Sequence, residues 1–230
     1  MEKKHFIKKH LLLLLVAATW TLLVLYPNPI HLFSSIYRLK NPPVMPIQVS
    51  DLALELEGAA PYEIEQFVYK RIPYQFDWEV YNMPWYFPTL EEALQRESGD
   101  CKARYLLLAS LLEGLEIPYQ KNISLTHIWV GYEGKAESRL ENSRESMIIV
   151  DEYGRARIAL PRPDLERASQ NFVRGFWEVM PADRKFMLLG GYPLIFGIFA
   201  LQPIAGQSYK KRTFYFDLNI KLLHIFSKKF

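Results

Sequence analysis

Two long apolar runs flank a section in which apolar positions recur first at helical and then at strand spacing. Leu11–Tyr26 reads LLLLLVAATWTLLVLY and carries no charge. It is a little short of the roughly 20 residues that cross a bilayer, and Phe6-Ile7 and Ile30–Phe33 extend it. Phe186–Ile204 is a second uncharged run of spanning length, with Gly190, Gly191, Pro193 and Gly197 inside it. Between the runs, Leu52 opens a helical pattern. Pro61 sits at a helix start, followed by Ile64, Phe67, Val68 and Ile72 on one face. Thr89 with Glu91 and Glu92 marks the N-terminus of a short helix. A strongly apolar helix begins at Cys101 and stops at Gly114 and Pro118; apolar residues cover most of its circumference, which predicts burial. Tyr119–Tyr132 then predicts two short strands, with His127 and Trp129 on one face and Ile128 and Val130 on the other. Residues 133–146 are charged and read as an exposed loop or hairpin tip. Ser146–Val150 predicts a buried strand, Tyr153–Leu160 a further one, and 164–180 an amphipathic helix. Helices followed by an antiparallel sheet make an α+β domain.

This pattern divides the chain of 230 residues into five parts. Residues 1–26 form a basic tail and transmembrane signal-anchor, and 27–50 a Pro-rich linker. The folded domain occupies 51–182, a second transmembrane segment 183–206, and a basic tail 207–230. The first run reads as an anchor rather than a cleaved signal, because Val16-Ala17-Ala18 lies inside it and not after it. The second run is either a span, or a buried helix pair or re-entrant segment broken at Pro193.

Charge sharpens the division. Residues 1–10 set Lys3, Lys4, Lys8 and Lys9 against Glu2, and residues 205–230 set six basic residues against Asp217. With a whole-chain net charge of +3, the middle is acidic. Basic tails suit anionic lipid, and an acidic middle argues against a nucleic-acid partner. By the positive-inside rule both tails face the cytoplasm, which places the domain on the outer side of the cell membrane.

One cysteine rules out an intramolecular disulfide. It is a buried small hydrophobe, a surface thiol or a nucleophile. Gly99-Asp100-Cys101 puts it in the first turn of the apolar helix, where the helix field stabilises an anion and the backbone N–H faces an oxyanion. Lys102 and Arg104 add positive potential. Of five histidines, His5, His10, His31 and His224 lie in tails or beside the first apolar run, and only His127 lies within the domain. Asp151 ends a buried strand; if that strand pairs with the one holding His127, its carboxylate orients the imidazole. Glu152 and Asp77 are the other acids in contention. No metal cluster, phosphate loop or repeat stands out.

Residues 71–120, and above all Gly99-Asp100-Cys101 running into an apolar helix that ends at Ile117-Pro118, resemble the transglutaminase-like (papain-related) cysteine enzymes. His127-Ile128-Trp129 is similar to that family's His-x-Trp strand, and Asp151 to its third triad member. The resemblance covers about residues 60–155. It implies a papain-like core with the cysteine at the start of a buried helix packed on an antiparallel sheet. The implied activity is acyl transfer or hydrolysis at amide bonds of a peptide or protein substrate. Cys101 is then nucleophile, His127 base and acid, and Asp151 orienter, with no cofactor needed. The alternative is a non-catalytic binding or scaffolding module of the same fold at the membrane. A further possibility is assembly of the apolar segments with membrane partner proteins, Gly190, Gly191 and Gly197 allowing close helix approach.

Overall fold

The computed structural model describes residues 2–138, 141–142, 145–151, 153–159 and 165–201. The expected basic tail at 207–230, the end of the second apolar segment and Glu152 lie outside the described residues. The chain divides into two units, Leu25–Ala182 and the pair of segments on either side of it.

In the flanking unit, α1 (Glu2–Leu25) and α9 (Ala182–Leu201) are both helical throughout. Phe6–Leu25 and Ala182–Leu201 are each long and apolar enough to cross a membrane. α9 runs through Pro193 without a break, so the segment is one helix and not a broken pair. The two helices touch at Gly191, where a Cβ would collide with the Trp20 indole. Thr21 Oγ1 and Tyr192 Oη are 2.7 Å apart. Of the three glycines expected to admit a close neighbour, Gly191 does so within the chain, whereas Gly190 and Gly197 face open space.

The central unit is α+β. α2 (Ile30–Lys40) forms inside the segment read as linker. Pro27 and Pro29 precede it and Pro42 and Pro43 follow it, so no proline interrupts its hydrogen bonds. Ser35 of α2 is buried and accepts from the Phe87 N–H at 3.0 Å, and Arg38 donates to the Phe87 carbonyl at 2.9 Å. The linker thus joins the fold. A 3-10 turn (Pro46–Val49) leads into α3 (Ser50–Glu55) and α4 (Pro61–Arg71). α5 (Asp77–Tyr81) follows, and then α6 (Leu90–Arg96), where Thr89 Oγ1 accepts from the Glu92 N–H as its spacing predicts.

α7 (Cys101–Gly114) is the centre of the core. Its Leu106, Leu107, Leu111 and Leu112 are fully buried, packed among Ile64 and Val68 of α4, Ile72 just after it, and the sheet. Burial of four leucines at roughly 1.5–3 kcal/mol each explains why the helix holds its place. The sheet is antiparallel in the order β2-β1-β3-β4, with β1 (Gln120–Ile123), β2 (Ile128–Gly131), β3 (Ile148–Val150) and β4 (Ala156–Ile158). β2 lies at one edge and sets Ile128 and Val130 into the core against α7. α8 (Leu165–Phe172) continues as a π-helical segment, Val173–Glu178, whose Phe176 carbonyl accepts from Trp78 Nε1 at 2.9 Å.

Candidate active site

The first turn of α7 is built by its own sequence. Gly99 pairs with Tyr74 in a short parallel bridge, and a Cβ at Gly99 would lie 2.6 Å from the Ala103 Cβ, so only glycine fits. Asp100 caps the helix: its carboxylate accepts from the Lys102 N–H at 2.9 Å. Lys102 then turns inward, fully buried, with its ammonium on Asp77 at 2.8 Å and on Asp100. Asp77 also accepts from the Tyr86 N–H. Burial and the neighbouring Asp100 push the Asp77 carboxyl up to about 7 against the pull of Lys102. Burial disfavours the Lys102 ammonium, yet Asp100 and Asp77 outweigh it and hold the charge on. The potential expected from Lys102 is therefore largely met by two carboxylates. The Arg104 guanidinium is likewise occupied: Nε donates to the Ile72 carbonyl, and the group lies 4.8 Å from the Tyr69 ring centroid and 5.3 Å from that of Tyr74.

This frame sets Cys101, half-buried, beside His127 at the entry to β2. The imidazole stacks on Trp129 at 5.7 Å, as residues sharing one face must. Cys101 and His127 line one small cavity. His127 Nε2 is 2.9 Å from Glu141 Oε1. Burial opposes the imidazolium, but Cys101 and Glu141 more than offset it and push His127 up to about 10. Glu141 is also desolvated, yet hydrogen bonds from His127 and Lys135 hold it below the ordinary carboxylate range.

Asp151 does not join them. β3 pairs with β1 and not with β2, so one strand separates Asp151 from the His127 strand. The register adds to the distance: Val150 faces Lys121, which faces Val130, whereas His127 precedes Ile128 at the other end. Two strands across and about four residues along amounts to roughly 16 Å. Asp151 instead closes the β3–β4 turn, accepting from the Tyr153 and Arg155 N–H groups and pairing with exposed Arg155 Nε at 2.8 Å. Asp77, the outside alternative, is taken by Lys102.

Glu141 belongs to the charged stretch read as an exposed tip. Within the β2–β3 connection, Lys135 and Glu141 lie against the site instead. The side chains of Lys135 and Glu141 are only 11% and 16% exposed and pair at 2.8 Å. With charges at seven of the fourteen positions 133–146, nothing in composition singles out residue 141. The length of the connection is the available signal, since loops beyond about 12–15 residues are commonly functional.

No protein-family model, curated protein or solved structure matches this chain.

Among the described residues no group of three or more His, Cys, Asp or Glu side chains is placed to hold a metal ion. Cys101 and His127 line a cavity of about 50 Å³ together with Tyr69, Tyr74, Lys135 and Glu141. Trp129, Lys135 and Glu141 also line an open groove of about 580 Å³ on the outer face of the sheet. One cross-strand row, Trp129–Asn122–Ile149–Arg157, crosses the floor of that groove. Asn122 is buried there beside Ser146.

Proposed function

We propose that this protein is a membrane-anchored thiol enzyme of transglutaminase-like character, acting by acyl transfer or hydrolysis on amide bonds of a peptide or protein. One observation carries the reading: the lone thiol, at the first turn of a buried helix, shares a small cavity with an imidazole whose Nε2 is held by a carboxylate. That is the relation of nucleophile, base and orienter that thiol acyl chemistry needs.

The Cys101 thiolate attacks the amide carbonyl carbon. The first-turn backbone N–H of Cys101 faces the developing oxyanion. The His127 imidazolium gives its proton to the departing amine as the C–N bond breaks, leaving a thioester on Cys101. Neutral His127 then takes a proton from water or an acceptor amine, which attacks the thioester and releases the acyl product. Glu141 holds the imidazole ring and stabilises its charged form throughout. The two apolar helices anchor the enzyme in the membrane, and the basic N-terminal tail sets the domain on the outer side.

The test is turnover of activated esters and peptide amides by the full chain in membranes. Cys101→Ala should abolish turnover with the fold retained, and an unaltered rate would remove the mechanism. Protease shaving of intact cells should cut the central unit, and protection would reverse its side.

The small cavity favours a second reading. About 50 Å³ has room for a water or two and not for a peptide, so the adjoining groove could hold a peptide without chemistry. In that case wild type binds peptide without consuming it, and Cys101→Ala binds equally well.

A further inference from the structure

Glu65 takes no part in the chemistry above, yet it is buried on α4 at 6% exposure. The inward positions around it, Ile64, Val68 and Ile72, are apolar and fully buried, so packing alone gives no reason for an acid. A carboxylate taken out of water costs several kcal/mol unless it is paired and hydrogen-bonded. Glu65 accepts from three side chains: Tyr69 Oη at 2.8 Å, Tyr132 Oη at 2.6 Å and Lys135 Nζ at 2.5 Å. Tyr69 is its neighbour on α4. Tyr132 and Lys135 are the opening residues of the β2–β3 connection.

Lys135 Nζ also meets Glu141 at 2.8 Å, and Glu141 meets His127 Nε2 at 2.9 Å. A carboxylate–ammonium–carboxylate bridge therefore runs from a rigid core helix to the acid that holds the imidazole. A connection of this length loses much conformational freedom when it is fixed in one place, so it needs anchors. Glu65 supplies two of them in the first four residues. The groups facing His127 are Cys101 from α7, Trp129 from β2 and Glu141 from the connection.

We propose that Glu65 is a positioning residue: it ties the β2–β3 connection to α4 and so keeps Glu141 against His127. This rests on the reading of Cys101, His127 and Glu141 as a working triad, but its test needs no substrate.

The His127 ring resonance is titrated by NMR in the full chain in detergent micelles, assigned by its loss in His127→Ala. Glu65→Gln should lower the midpoint by at least about one pH unit, a tenfold loss of proton affinity. Lys135→Met cuts the bridge from the other side and should do the same if Glu65→Gln fails to fold. Lys135→Arg, which keeps the charge, should restore most of the wild-type midpoint. In a Glu141→Gln background, Glu65→Gln should add little further change, because both act through one carboxylate. A Glu65→Gln protein that melts earlier but titrates like wild type would show a purely structural role and overturn the proposal. Full additivity with Glu141→Gln would overturn it too. Alkylation of Cys101 in the same samples tests the thiol reading separately: an inert thiol defeats that reading, while the titration still decides the role of Glu65.

Discussion

The start of α7 and the β2–β3 connection each deliver one side of the candidate site, and they were not equally readable. At the α7 start, Gly99, Asp100, Cys101 and Lys102 are consecutive. The tight approach to Ala103, the cap and the placement of the thiol all follow from neighbours within one helical turn. In the connection, Glu141 pairs with Lys135, and Lys135 and Tyr132 are bound to Glu65, about 70 residues earlier in the chain. A site half built from local rules and half from long-range polar pairing exposes only its local half to sequence reasoning.

Both halves can be perturbed. The largest effect should come from Lys102→Met at the α7 start. It strands Asp77 and Asp100 as buried acids, and loss of one partner from a buried ion pair costs about 3–5 kcal/mol. Urea unfolding measures it, and Asp77→Asn in the same background should recover part of the loss. Next, on the connection, Glu141→Gln keeps a hydrogen bond but removes the charge from His127. Turnover should fall roughly 10²-fold, about 2.7 kcal/mol in barrier, with the His127 midpoint moving below about 10. Back at the α7 start, Gly99→Ala forces a Cβ to 2.6 Å from the Ala103 Cβ and should cost about 1–3 kcal/mol in thermal unfolding. Smallest of all, Asp151→Asn should leave turnover unchanged, because that carboxylate serves the β3–β4 turn. A loss as large as that of Glu141→Gln would return Asp151 to the site.

The helices were legible for the same local reasons as the thiol. Pro61 and Thr89 start their helices where turn and cap chemistry says they should, and the apolar circumference of α7 matches its burial. His127 and Trp129 share a face because strand alternation requires it. Strand order was not legible. Periodicity marked the strand at Ile148–Val150 but could not say that it pairs with β1, and that one fact separates Asp151 from His127. The prolines of 27–46 misled in the other direction, since breakers counted in bulk hid a helix that none of them enters. The charged stretch misled because solvated and buried charges look alike until their partners are known; Lys135 and Glu141 are partners of each other, of Glu65 on α4 and of His127 just before β2.

The central claim is that Cys101, His127 and Glu141 act as one unit, and alkylation of the lone thiol against pH tests it most directly. Iodoacetamide is reacted with wild type, His127→Ala and Glu141→Gln in membranes across about pH 5 to 9. At about pH 6 the rate should be at least about tenfold lower in His127→Ala than in wild type, and lower by a smaller factor in Glu141→Gln. Three superimposed profiles would contradict the account and leave Cys101 a structural cysteine at a helix start.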